Sequence, residues 1–405
     1  MTFFNSIFLG VLVLVLVLEG AGIKFGREIA LYLIIFLPAL FLASHRKREF
    51  LIPKRITFLF GIFLLVSCLS VFYSKDSSLS IKYLLIYFSV FLTFLYVYNE
   101  REFVQKWLVK LIFALSFFYA LYSIFILTRA GSLLTPNTGY QFVFSKFNSH
   151  NHLGDFLILP LTTCFYLFWR KSRVNLFLIS LVTIFLLPYF LFSYSRSAYL
   201  SLSLTLALMF FMFVKEKVIN FSLAPTLLLI FTLVTACLFF FSVSQNSSRV
   251  PVFDKVYQVL TNQNSLLYKS SGGGRFGYLQ EGWLSLKETP LQGVGPGNFV
   301  YASKKFEPEP KTWTETAHNI FVDIFVENGI FAGVVFLAII GLIAKKSEKN
   351  LYFYLGLGLL LNFQTDYTYR IYSLFLLFFV LLGSAYTEEN LLKLSFGKFI
   401  RRFRK

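Results

Sequence analysis

Apolar stretches of roughly 17–25 residues follow one another along the chain, separated by short polar runs. This pattern predicts membrane-spanning helices near 3–19, 28–44, 56–73, 80–98, 107–128, 152–169, 175–193, 197–214, 219–242, 319–344, 350–365 and 371–386. Residues 1–242 would then hold nine helices and 319–386 three more, with a basic cytoplasmic tail over 387–405. The fold class expected is an all-α polytopic membrane protein of about 12 transmembrane helices. Met1 to Leu18 has neither a basic leader nor a small-x-small cleavage site, so it reads as a retained first span rather than a signal peptide.

The polar runs orient these helices. Basic residues cluster in Arg46-Lys47-Arg48 with Lys54-Arg55, in Arg170-Lys171-Ser172-Arg173, in Lys215-Glu216-Lys217, in Lys345-Lys346 and in Arg401-Arg402-Phe403-Arg404-Lys405. With both termini cytoplasmic, these runs all fall on the cytoplasmic side, as the positive-inside rule requires. The outer side receives Ser74-Lys75-Asp76, residues 129–151, the turn around Arg196, the loop 243–318, and Asp366 to Arg370.

That outer loop, 243–318, is far longer than the other connections, and loops of such length are functional or disordered. Within it Phe276, Leu279, Trp283 and Leu286 recur at spacings of three and four. The stripe predicts an amphipathic helix on the membrane surface, closed by Thr289-Pro290.

Composition strengthens the membrane reading. The 405 residues are 57% hydrophobic and 14% charged, with 53 Phe and 23 Tyr available as packing mass and interfacial anchors. The formal net charge of +18 sits in runs between apolar stretches rather than on a nucleic-acid-binding surface, so nucleic acid is not an expected partner. Cys68, Cys164 and Cys237 lie in apolar stretches without disulfide or metal-ligand spacing and read as small hydrophobes.

Few residues remain to carry chemistry. Arg275 follows Gly272-Gly273-Gly274, where converging amides and a guanidinium fork suit a phosphate; the plain alternative is a hinge with a solvated arginine. Arg196, between two apolar runs, is either a substrate contact or a snorkelling anchor. His318 stands at the start of a helix, whose dipole would help keep its imidazole neutral and able to act as a general base, unless its role is structural. His150 and His152 bracket Asn151 as caps or substrate contacts. Asp323 and Glu327, one turn apart in an apolar helix, are expected to face the bundle interior and an arginine. No DxD or histidine–carboxylate cluster has metal-ligand spacing, so no metal or other cofactor is expected and arginines would have to neutralise any phosphate.

Taken in order, Gly274-Arg275, Trp283, Gly293-Val294-Gly295-Pro296-Gly297-Asn298-Phe299, Ala317-His318-Asn319 and Glu327-Asn328-Gly329-Ile330-Phe331-Ala332-Gly333 resemble the O-antigen ligase/polymerase superfamily. Ser195-Arg196-Ser197-Ala198 and the stretch Asn148 to Pro160 add weaker likeness. The resemblance implies a glycosyltransferase C-type architecture in the bacterial inner membrane, with its site facing the periplasm. It implies an undecaprenyl-diphosphate-linked glycan as donor and a lipid A–core or glycan acceptor, handled among membrane lipids. By motif it makes His318 the base, Arg196 and Arg275 the diphosphate ligands, and Asn319 a substrate contact.

Three activities compete within that superfamily: an O-antigen ligase, a polysaccharide polymerase and a protein O-oligosaccharyltransferase. The last often carries a further C-terminal periplasmic domain, which a basic cytoplasmic tail would replace here. The arrangement of arginines and histidine favours the ligase. A lipid-glycan flippase is the alternative of a different class, but transporters place charges at the bilayer midplane and show inverted repeats. The candidate residues here fall at the outer boundary.

Overall fold

A computed structural model describes residues 2–20, 26–44, 49–129, 150–170, 176–193, 195–217, 273–306 and 313–395. The expected span 219–242 and most of the loop 243–318 up to residue 272 lie outside these, as do residues 396–405 of the tail. The chain begins with α1 (Thr2–Gly20) and α2 (Gly26–Ser44), followed by β1 (Glu49–Pro53), α3 (Lys54–Val71), α4 (Ser77–Asn99) and α5 (Arg101–Arg129). Then come α6 (His150–Trp169), α7 (Leu176–Phe192) and α8 (Arg196–Lys215), and after the undescribed stretch α9 (Gly273–Glu288) and α10 (Phe299–Phe306). The last part is α11 (Ile320–Lys346), α12 (Leu351–Asn362), a 3-10 turn (Thr368–Arg370), α13 (Tyr372–Ala385) and β2 (Leu391–Ser395).

Each expected span other than 219–242 falls on one of these helices. Among the described residues, six helices are long and apolar enough to cross a membrane, and three shorter apolar ones accompany them. The chain is a multi-pass membrane protein.

Every residue of α13 is buried, from Tyr372 to Ala385. A helix apolar on all sides must be enclosed on all sides, and α4, α12, α1, α2 and α5 pack around it. At 14 residues it rises only about 21 Å. Its N-terminal amides therefore open inside the bundle, where both carboxylate oxygens of Glu19 accept from Tyr372 N (3.1 Å) and Ser373 N (2.7 Å). The turn that precedes α13 is thereby fixed, and it forms one wall of the site.

Part of the tail expected over 387–405 is paired with an earlier segment. Its Leu391–Ser395 stretch pairs antiparallel with Glu49–Pro53, in a register running from Glu49↔Ser395 to Pro53↔Leu391. Each five-residue strand gains backbone hydrogen bonds from the other that it could not make alone.

Candidate functional site

Two glycine-rich motifs of the sequence meet at a break in α11. Gly329 has φ 84° and ψ 170°, a conformation essentially confined to glycine, and the helix changes course there. A break leaves carbonyls and an amide without intrahelical partners, and buried backbone groups must be satisfied. The 290–298 segment supplies what is missing. Val294 N donates to Val326 O (3.0 Å), Gly295 N to Glu327 O (2.8 Å), and Ile330 N donates to Pro290 O (2.8 Å). The Glu327 carboxylate accepts from Gly297 N (2.8 Å) and Phe299 N (3.2 Å). Gly297 has no room for a side chain, since a Cβ there would run into the Tyr83 ring. Asn298 then ties the segment to the α3–α4 turn, donating to Ser80 Oγ (2.7 Å) and accepting from Asp76 N (3.1 Å). This stretch is an architectural joint.

Directly beside the joint lies a buried charge cluster. The arginine expected opposite Asp323 and Glu327 is Arg370, which donates to Asp323 Oδ2 (2.7 Å) and to Glu327 Oε1. Tyr369 Oη also donates to Asp323 Oδ2 (2.6 Å), and the guanidinium lies 4.9 Å from the Tyr83 ring centroid. The other oxygen of Asp323 accepts from Ala317 N at 2.7 Å. The cluster thus reaches through one hydrogen bond to the residue preceding His318.

His318 adopts φ 55°, in the left-handed region, and its amide donates to Thr316 Oγ1 (3.0 Å). Tyr278 stacks on the imidazole at 5.5 Å and Tyr367 meets it edge-on at 5.2 Å. Nδ1 is buried and makes no hydrogen bond among the described residues. Burial lowers the pKa of His318 below the usual 6.5; Asp366 opposes this, Arg275 adds to it, and Asp323 opposes it. This direction favours the neutral imidazole, with desolvation the largest of these causes. The N-cap of α11 is Asn319, whose Oδ1 accepts from Phe321 N and Val322 N, both at 3.1 Å, while its Nδ2 donates to Gln364 O (3.2 Å). Asn319, expected to touch substrate, has its amide engaged in capping and in this cross-link.

Arg275 is the third residue of α9 and stands 3.6 Å from Asp366 Oδ2. Asp366 is fully buried and accepts from Ser197 Oγ (2.9 Å) and Tyr367 N (2.7 Å). Arg196 opens α8, with Ser195 as N-cap; the Arg196 side chain lies outside what is described, as do those of His150 and Asn151 at the start of α6. Through Asp366 and its neighbour Tyr367 the structure joins α8, α9 and His318. The sequence reading placed 366–370 merely as an outer turn, because nothing local marks a short polar connection as a hub.

The α9 stripe is divided between exposed and inward positions. Trp283 is 57% exposed, whereas Glu281, Gly282 and Ser285 are buried and Gly282 sits close against Val322 of α11. Leu279 does pack inward, against Phe299 and Val326; the Phe276 side chain lies outside the described residues.

In front of His318 opens a cavity of about 270 Å³, lined among others by His152, Glu315, Arg27, Glu19, Tyr367 and Arg370. A neutral imidazole at a polar cavity lined by the Arg27 and Arg370 side chains, with Arg275 near enough to act on its charge, can accept a proton and stabilise an anion. No curated protein matches the chain. The O-antigen ligase family model matches residues 181–337, a stretch that contains Arg275, the whole joint and His318. Over that stretch the chain is similar to the O-antigen ligase family.

Proposed function

We propose that this protein is an O-antigen ligase, transferring a glycan from undecaprenyl diphosphate to a sugar hydroxyl of lipid A–core at the periplasmic face of a bacterial inner membrane. The superfamily supports ligase- or polymerase-type glycosyl transfer on lipid-linked glycans. The observation that carries the finer reading is His318, which stands at a cavity of about 270 Å³ where burial favours its neutral form and Arg275 is close enough to act on its charge.

In the proposed step His318 takes the proton of the acceptor hydroxyl as that oxygen bonds to the anomeric carbon. The bond from that carbon to the diphosphate oxygen breaks, and its electron pair leaves with undecaprenyl diphosphate. Attack opposite the leaving group inverts the anomeric centre. Arg275, with Arg196, stabilises the charge growing on the departing diphosphate, and no metal is called upon. Arg275 is already held by an anion, Asp366, at 3.6 Å; a diphosphate would offer it several better-placed oxygens.

The test is transfer by purified protein in detergent with lipid-linked donor and polymer-free lipid A–core. His318→Ala and Arg275→Ala should each abolish product. Full transfer by His318→Ala would refute the base assignment. A deletion strain with polymer left on the carrier lipid and none on core supports the ligase, whereas single repeats on core would identify a polymerase.

A further inference from the structure

The cavity has a side that Arg275 does not line. There Arg27, near the start of α2, and Glu315, three residues before His318, face the same space. Arg27 Nη2 donates one long bond, 3.5 Å, to Arg370 O, and the guanidinium lies 5.0 Å from the Tyr372 ring centroid. Among the described residues Arg27 forms no ion pair, and Glu315 forms neither an ion pair nor a hydrogen bond. The two are close enough to feel each other's charge but do not close into a pair. A guanidinium with one long hydrogen bond and a carboxylate with none thus line the same cavity without pairing. Glu19, by contrast, is committed to the amides that open α13.

This arrangement selects among ligands. A free anion would meet Arg27 favourably but Glu19 and Glu315 unfavourably. A sugar ring suits it better, because each hydroxyl both donates and accepts and can satisfy the fork and the carboxylate together. Tyr367 and His152, edge-on to each other at 5.8 Å, offer ring surface for the sugar's apolar C–H positions. The volume of about 270 Å³ suits a single ring rather than a longer glycan.

We propose that this side of the cavity is the acceptor subsite, seating the sugar whose hydroxyl attacks, with Arg27 and Glu315 fixing the ring through its hydroxyls. The inference rests on the reading of His318 as base; it adds that acceptor and donor are held on opposite sides of that imidazole.

The experiment measures binding to the full-length protein in nanodiscs with two probes, polymer-free lipid A–core and undecaprenyl diphosphate. Arg27→Gln and Glu315→Gln should each weaken lipid A–core binding by about ten- to a hundredfold, the loss expected for a hydrogen bond to a charged group. Both should leave undecaprenyl diphosphate binding unchanged, and Arg275→Gln should show the reverse pattern. In transfer assays the acceptor KM should rise while the donor KM holds. Arg27 makes one long hydrogen bond and Glu315 none, so at least the second variant keeps its fold. Unchanged acceptor binding in both variants, equal loss of donor binding, or no lipid A–core binding by the unmutated protein would each overturn the subsite. If His318→Ala still transfers while Arg27→Gln loses the acceptor, the base assignment falls and the subsite stands. If His318→Ala is dead and Arg27→Gln binds normally, the converse holds.

Discussion

Replacing Arg370 by Gln tests the connection between the buried cluster and His318. Arg370 is 7% exposed and its guanidinium holds both Asp323 and Glu327, which are 1% and 0% exposed. Without it, two buried carboxylates one helical turn apart lose their shared cation. Removing one member of a buried ion pair costs about 3–5 kcal/mol. Here Asp323 keeps its bonds from Ala317 N and Tyr369 Oη, and Glu327 keeps Gly297 N and Phe299 N. Those four donors place the expected loss at the lower end, about 3 kcal/mol. Lysine should recover only part of it, since one ammonium cannot reproduce a fork between two carboxylates.

Denaturant titration of the protein in micelles would give the stability change, and a double-mutant cycle would show its origin. Glu327→Gln alone should destabilise, but in the Arg370→Gln background it removes one of the orphaned charges. The two effects should therefore fall short of additivity by about 1–3 kcal/mol. Because Asp323 anchors Ala317, Arg370→Gln should also lower kcat for transfer with less effect on donor binding. Strict additivity, or an Arg370→Gln protein as stable as the parent, would refute the cluster as the support of the His318 turn.

Other expectations follow from single features. Gly329→Ala forces a Cβ into the Leu291 carbonyl at φ 84° and should cost at least about 1–3 kcal/mol in micelle unfolding; an unaffected variant would deny the joint. Asn319→Ala removes the α11 cap and should cost about 1 kcal/mol by the same assay, with no loss of stability counting against the cap. Since burial lowers the folded pKa of His318 below 6.5, transfer should be flat above that pH and fall only on more acid titration; an inflection above 6.5 would refute the lowered pKa. Unfolded His318 binds its proton more readily than folded, so this residue's contribution to stability is lost as pH drops below 6.5.

The spans were legible because a run of apolar residues matched to bilayer thickness is a long, redundant signal. The joint was half legible. Gly293 to Phe299 and Glu327 to Gly333 could be read as paired family motifs, but one dimension does not show that the first supplies the amides and carbonyl demanded by a helix broken in the second. Asp366 and Arg370 stayed hidden for a related reason: each is a single charge in a short turn, and its meaning comes from helices more than forty residues away in sequence.

Which faces of α8 and α9 turn inward has a physical cause. In water an apolar stripe marks the side of a helix that must be buried, but lipid is as apolar as a protein core, and packing inside a membrane is driven by close approach and polar contacts. The chain follows the second rule. On α8, Ser197, Ser201 and Thr205 face inward at intervals of four, while Leu200, Leu204, Leu208 and Phe211 point away from the bundle. On α9, Glu281, Gly282 and Ser285 are buried while Trp283 is exposed. On these two helices small and polar residues share the inward surface with large apolar ones such as Leu202, Leu206 and Met209. Ser197, at the head of one such row, hydrogen-bonds to the same Asp366 that meets Arg275, so on α8 the packing face leads directly into the site.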